Sequence, residues 1–189
     1  MEPSSAWTIP SDVILPSSRS RYVLDDVQCQ QLRCLYSKLY GVSASTIETP
    51  SFCWKYQSLK INGKLLGSYK SRSDSSSLIL ANWNCSYFGP ISIPIADTEI
   101  LRPARINCLL SQSISISGNT LTHMLVSLSW FQFHPQIGYF GKPLSVWCHN
   151  LFEGGSHVIP VQFIKCRVVS VLSKVNDERV LVVSPCVDF

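Results

Sequence analysis

Ile106-Asn107-Cys108-Leu109-Leu110-Ser111-Gln112-Ser113-Ile114-Ser115-Ile116, then Gly118-Asn119, then Leu121–Phe133: here apolar and polar residues alternate on both sides of a glycine turn. Period-two alternation bounded by glycine marks antiparallel strands, because successive side chains point to opposite faces. Loop length fixes the register of such a hairpin. A two-residue Gly118-Asn119 loop would oppose Ile114 to His123 and Ser113 to Met124. A three-residue loop, Gly118-Asn119-Thr120, would oppose Ile114 to Met124, Leu110 to Leu128 and Cys108 to Trp130. The second gathers the apolar residues on one face. The sequence therefore predicts a three-residue loop, with Leu128 and Trp130 buried beside Cys108, Leu110 and Ile114.

Working outward, His134-Pro135 closes the second strand, and Gly138 with Gly141-Lys142-Pro143 turns into a strand Leu144–Phe152. Glu153-Gly154-Gly155-Ser156 reads as a turn into His157–Val171, and Asn176-Asp177 as a turn into Val180–Ser184. Upstream, Phe52–Tyr69 reads as a hairpin around Asn62-Gly63, the strongest short hairpin signal. That hairpin pairs Ile61 with Lys64, Leu59 with Leu66 and Tyr56 with Tyr69. The polar tract Ser68–Ser77 reads as a loop before the short strand Leu78–Trp83. Pro90, Pro94 and Pro103 argue against a central strand over Tyr87–Pro103, since proline offers no N–H to a ladder. That stretch reads as a connection, where two β-lobes would divide near 88–103.

Asp25-Asp26 opens one helix. Leu32, Leu35, Tyr36, Leu39 and Tyr40 fall at i, i+3, i+4, i+7 and i+8, a single apolar stripe. Either aspartate can cap its start, and Gly41 sits where a left-handed residue ends a helix. The helix reads as laid on the β-core, with a free helix offered to a partner as the alternative. The expected architecture is mainly β: a small antiparallel barrel or sandwich, OB- or SH3-like forms included, with one N-terminal amphipathic helix. Residues 1–20, rich in Pro and Ser, read as a tail or linker, 21–50 as helix and connector, and 51–186 as the β domain.

The 189 residues are 46% hydrophobic and 15% charged, enough apolar material for a sizeable core and too much for a disordered chain. The net charge of +4 is unevenly placed. Ser51–Ser170 holds Lys55, Lys60, Lys64, Lys70, Arg72, Arg102, Arg105, Lys142, Lys165 and Arg167 against Asp74, Asp97, Glu99 and Glu153, hence +6 in the β-core. A basic core suits a polyanion, although an ordinary basic domain has the same count. Met1–Pro10 has neither a charged nor an apolar leader region, and no apolar run reaches the roughly 18 residues of a membrane helix. The eight cysteines mostly sit in apolar runs and read as reduced, buried hydrophobes. The expectation is an intracellular protein, nuclear before cytoplasmic, without a membrane partner.

Chemistry-bearing patterns are thin. His134, Cys148, His149, His157 and Cys166 share one segment, but no paired Cys-x-x-Cys or His-x-x-x-His spacing supports a structural zinc site. Cys148 has histidines nearby, but no helix N-terminus is expected there to lower its pKa. The core acids Asp74, Asp97, Glu99 and Glu153 fall mostly in loops, a poor supply for metal-dependent phosphodiester chemistry. No phosphate loop or other cofactor motif stands out, so neither a catalytic group nor a cofactor is expected. The first hairpin carries the one suggestive pattern. Trp54, Tyr56 and Tyr69 are interleaved with Lys55, Lys60, Lys64, Lys70 and Arg72; bases stack on aromatic faces while cations neutralise phosphates. The competing structural reading packs at least one of those rings under the helix. The candidate nucleic-acid residues are Trp54, Tyr56, Lys60, Lys64, Tyr69, Lys70 and Arg72.

A further pattern runs through the chain. It comprises Gly67-Ser68-Tyr69-Lys70-Ser71-Arg72-Ser73 with Ile79-Leu80-Ala81-Asn82-Trp83, then Arg102-Pro103-Ala104-Arg105-Ile106. Trp130-Phe131, His134-Pro135, Phe140-Gly141-Lys142-Pro143 and Val146-Trp147 follow, and Ile159-Pro160-Val161-Gln162 and Val180-Leu181-Val182-Val183-Ser184-Pro185 complete it. This order resembles an uncharacterised region of mobile-element (transposon) proteins that recurs in marine invertebrate genomes. The resemblance covers roughly Phe52 to the C-terminus, and its shared pieces are structural punctuation. It implies a nuclear, DNA-related context and a longer element-encoded parent protein. The expected function is a non-enzymatic binding module for nucleic acid or chromatin. The alternatives are a protein-interaction or scaffold domain and an accessory domain of a DNA-processing enzyme.

Overall fold

A computed structural model describes residues 8–61, 63–70, 74–83, 85–88, 91–94 and 101–186. In chain order the elements are β1 (Ser20–Val23), α1 (Asp26–Tyr40), β2 (Ile47–Glu48), β3 (Phe52–Tyr56), β4 (Ser58–Ile61), β5 (Lys64–Gly67) and a single-turn helix Asp74–Ser77. There follow β6 (Leu78–Asn82), β7 (Cys85–Phe88), β8 (Ile91–Pro94), β9 (Leu101–Ile116), β10 (Asn119–Phe133), β11 (Ser145–Pro160), β12 (Ile164–Val175) and β13 (Glu178–Pro185). Strands β6, β9, β10, β11, β13 and β12 succeed one another around a closed barrel, each antiparallel to the next, with β12 returning to β6. The fold is therefore mainly β, a small antiparallel barrel with an N-terminal amphipathic helix. Among the described residues no helix is long and apolar enough to cross a membrane.

The β9–β10 hairpin is the spine, and its register differs from the expected one. Ile116 pairs with Asn119, so the loop is Ser117-Gly118, and both residues have positive φ (51° and 83°). Left-handed geometry at both centres gives the twist that suits two right-handed strands, which the three-residue loop was not needed to supply. Ile114 then faces Leu121, and Leu110 faces Leu125. At Asn107 an extra residue enters β9: Ser127 pairs with Cys108, but Leu128 pairs with Ile106. This bulge shifts the strand's phase. Leu128 and Trp130 are fully buried, as expected, but with Ala104, Ile106 and Leu109; Leu110 and Ile114 belong to a second cluster that Cys108 flanks.

Three other expectations are corrected. Pro103 does lie in a strand, paired with Leu80 of β6. The β9–β10 ladder ends one residue later, at Ala104↔Trp130, and the Phe131 carbonyl accepts from Arg102 Nε at 3.0 Å, so no proline N–H is required. Pro94 likewise closes β8, while Pro90, Asp97 and Glu99 lie outside the described residues. Glu153–Ser156 is not a turn. β11 runs on to Pro160, and register shifts opposite Leu128/Trp130 and Phe131/Phe133 absorb the extra residues. Glycines in such a strand serve bulges as readily as turns. In the first hairpin Ile61↔Lys64 and Leu59↔Leu66 are as expected, but pairing stops at Ser58↔Gly67. Tyr56 belongs instead to β3, held between β1 and β9; Asn62 lies outside the described residues.

Both ends of α1 behave as the sequence indicates. Gln28 N–H donates to Asp25 Oδ1 at 2.7 Å and Asp25 N–H donates to Gln28 Oε1 at 3.1 Å, a reciprocal cap; Gly41 (φ 63°) ends the helix. Leu32, Leu35 and Tyr36 are buried against Leu110, Ile114, Ile116 and Leu125. Residues 8–20, read as a tail, are tied down from Thr8 onward: Ile9 N–H donates to Thr122 O at 3.0 Å, Ile14 bridges to Lys60, and Ile9 and Leu15 pack on the largest cluster.

Beneath α1 the interior is polar at one point. Tyr36 Oη donates to Gln112 Oε1 at 2.9 Å, and Tyr40 Oη lies 2.5 Å from His123 Nε2. Burial lowers the His123 pKa to about 4. The folded state therefore holds a neutral imidazole, while the unfolded chain takes up its proton near pH 6.5. Stability tied to this group is complete above that pH and drains away as pH falls towards 4, by about 3 kcal/mol at 1.4 kcal/mol per pKa unit. In urea unfolding between pH 7 and pH 4, His123→Gln should show a visibly shallower acid loss than the parent chain; equal slopes would contradict this assignment. Trp130, fully buried and edge-to-face with Trp83 at 4.9 Å between centroids, makes the second expectation. Trp130→Ala should cost about 3–5 kcal/mol in the same assay, as large core truncations do.

Candidate functional site

β9 changes partners along one edge. Leu101–Arg105 pair with β6, Leu109–Ser111 with β3, and Ser115–Ile116 with β2. Between the first two ladders, Ile106, Asn107 and Cys108 have no strand on that edge among the described residues. The bulge sits in the same gap. A turn after β5 reaches into it, where Tyr69 N–H donates to Ile106 O at 3.1 Å. The result is an open cavity of about 380 Å³ lined by Lys55, Tyr69, Lys70, Arg105, Asn107, Cys108, Ser129 and Phe152.

Among the described residues, three cations and no carboxylate line this cavity. Among the described residues no Asp or Glu pairs with Lys55, Lys70 or Arg105. Arg105 Cζ lies 4.8 Å from the Phe152 ring centroid and 5.6 Å from that of Tyr69, and Lys70 Nζ lies 5.8 Å from Tyr69. Rings hold these cations without neutralising them. Arg105 Nη2 donates to Asn150 Oδ1 at 3.4 Å, whereas its buried Nε has no hydrogen-bond partner. Asn107 Nδ2 donates to Ser129 Oγ at 3.1 Å, fixing the bulge's amide against β10. Tyr69 is 38% exposed, so part of its ring remains open to solvent.

A second cavity, of about 220 Å³, lies between α1 and the sheet. Tyr22, Leu24, Leu32, Cys53, Leu110, Leu125 and Val158 supply its apolar wall, and Gln28, Gln112 and Ser127 its neutral polar groups. It shares Lys55 and Cys108 with the first cavity. Burial pushes the Cys53 thiol up to about 12 and raises that of Cys108. Both are protonated at neutral pH and are poor nucleophiles. Cys148 behaves alike: burial, then Glu178, raises its pKa, and its Sγ lies 3.3 Å from Phe133 O as donor. The arrangement suits holding an anion and offers no activated thiol.

The candidate residues named from sequence are dispersed. Among the described ones, Tyr69 and Lys70 alone meet at the cationic cavity. Tyr56 is 3% exposed and packs with Leu59 and Leu66, so its ring is closed to a ligand. Trp54 is half-buried, with Arg19 Cζ 4.0 Å from its ring centroid and Phe52 edge-on at 5.9 Å. Lys60 is exposed on β4, whose backbone pairs with Ile14. Lys64 lines a separate shallow cavity with Lys165 and Arg167. Arg72 lies outside the described residues. Sequence reasoning missed Arg105, Asn107, Ser129 and Phe152, and left Lys55 out of the site. Lys55 had a signal, because alternation in β3 puts it on the face opposite Trp54 and Tyr56. Neither a family model, nor a curated protein, nor a solved structure matches this chain.

Burial separates the two tyrosines experimentally. Tyr56→Ala should destabilise by about 3 kcal/mol or more in urea unfolding, as buried ring truncations do. Tyr69→Ala should stay within roughly 1 kcal/mol of the parent, because its ring makes no closed core contact. The reverse order would misplace the cavity.

Proposed function

We propose that this chain is a non-enzymatic nucleic-acid-binding module whose contact surface centres on Lys55, Tyr69, Lys70 and Arg105. The observation that carries the reading is the concave site itself: three cations that no carboxylate pairs with among the described residues, around an exposed tyrosine. Phosphates supply the missing counter-charge, and a base supplies a flat face for Tyr69. An isolated basic residue is an ordinary surface feature; unpaired cations converging on one cavity keep a standing attraction for an anion. The mobile-element resemblance, with its nuclear, DNA- or chromatin-related context, agrees with this reading and forms part of the proposal. A second reading, a protein-interaction domain, rests on β12, where Val169, Val171 and Leu172 are 63%, 61% and 49% exposed.

The test is a salt titration with single-stranded and duplex DNA and RNA. Affinity should fall linearly on a log–log scale. Lys55→Ala, Lys70→Ala and Arg105→Gln should each shrink the slope by about 0.7 units on single strands, one phosphate contact apiece. Lys60→Ala, away from the cavity, should leave the slope unchanged. A folded protein without salt-dependent binding to any nucleic acid would end this reading and leave the β12 surface to be tested against protein partners.

A further inference from the structure

We infer that the bound strand is single and that one of its bases leaves the stack and enters the cavity beneath α1. This rests on the nucleic-acid reading and specifies how the strand is held. The two cavities adjoin, because Lys55 and Cys108 line both. From the outer cavity to the inner one the chemistry changes in the order that a nucleotide presents. The outer part carries Lys55, Lys70 and Arg105 and suits phosphate. The inner part has an apolar wall, with Leu32, Leu110 and Leu125 among it, interrupted by the neutral polar groups of Gln28, Gln112 and Ser127. A nucleobase has that character, apolar faces and an uncharged hydrogen-bonding edge, and a pocket that takes an unstacked base is built in this way.

The charge pattern argues for the same occupant. Lys55 stands where the two parts join, its Nζ 5.9 Å from the Tyr22 ring centroid, so a backbone phosphate can remain on the cation while its base turns inward beside Tyr22. The thiols of Cys53 and Cys108 stay protonated, so the inner wall adds no negative charge against the strand. A paired base cannot make this turn without first being unpaired, which favours single strands over duplex.

The experiment uses the full chain and 12-nucleotide DNA strands with 2-aminopurine, or an abasic residue, at one central position. On the parent protein, the probe's fluorescence should change on binding, and the abasic strand should bind about 5- to 150-fold more weakly, the range for losing one stacked base. The salt slope should be unchanged, since the phosphates remain. Ser127→Phe, which fills the inner cavity, should erase the difference between intact and abasic strands; the abasic comparison on the parent protein stands whether or not that variant folds. Salt-dependent binding with less than a twofold abasic effect and unaltered fluorescence would overturn base insertion and leave the nucleic-acid reading intact. Absence of any oligonucleotide binding, with dodecanoate bound in its place, would overturn both in favour of a small amphipathic anion.

Discussion

A buried guanidinium organises the barrel. Arg102 is 1% exposed, at the start of β9, where that strand meets β6 and β10. Its Nε and Nη2 both donate to the Phe131 carbonyl, and Nη2 also meets Glu153 Oε2 from β11. Its Cζ lies 4.0 Å from the Trp83 ring centroid, 4.3 Å from that of Phe133 and 5.6 Å from that of Trp147. A charge this deep persists only when paired and hydrogen-bonded. Its partners come from three separate stretches of chain, so satisfying it brings those stretches together. The geometry favours arginine over lysine, because a planar fork can serve one carbonyl and one carboxylate while stacking on rings.

The neighbours of Arg102 show how closely the requirements interlock. Pro103 has no N–H, and the Arg102 guanidinium donates to the Phe131 carbonyl in place of a strand N–H. Ala104 sits opposite Trp130, and a small residue there leaves room for the indole. Arg105, three positions after Arg102, points to the other face and reaches the cationic cavity. Strand alternation thus turns one short segment, Arg102-Pro103-Ala104-Arg105, into a barrel clamp on one side and a charge lining the cationic cavity on the other.

Local chemistry was legible in the sequence; long-range phase was not. The α1 caps, the Ile61↔Lys64 turn and the Asn176-Asp177 turn depend on a few adjacent residues, and these residues name their own conformations. The β9–β10 register depends on the loop, and the observed one, Ser117-Gly118, which is neither of the two weighed from the sequence, also matches apolar residues, Ile114 with Leu121 and Leu110 with Leu125. The register was decided by the two left-handed positions at Ser117-Gly118 and then shifted again by the bulge at Asn107. No local signal marks such a bulge, because what fixes it is the apolar match of Ile106 with Leu128 beyond it. The same holds for β11. Gly154-Gly155 reads as a turn in isolation, yet the strand continues because β10 pairs on both sides of it.

The candidate site inherits this division. Interleaved aromatics and lysines draw attention to the first hairpin region, but which face is open depends on what covers β3. Trp54 and Tyr56 face the side that the β4–β5 hairpin and residues 8–15 cover, so the core takes Tyr56. Lys55, on the other side, is left beside Tyr69 and Arg105. The cavity exists because β9 exchanges β6 for β3 over three residues, and the bulge falls within those three. A partner switch leaves backbone without a ladder, and the turn carrying Tyr69 and Lys70 satisfies one of those carbonyls while bringing its own charge and ring to the gap. The irregularity that makes the register hard to read from sequence is thus the feature that gathers the cations.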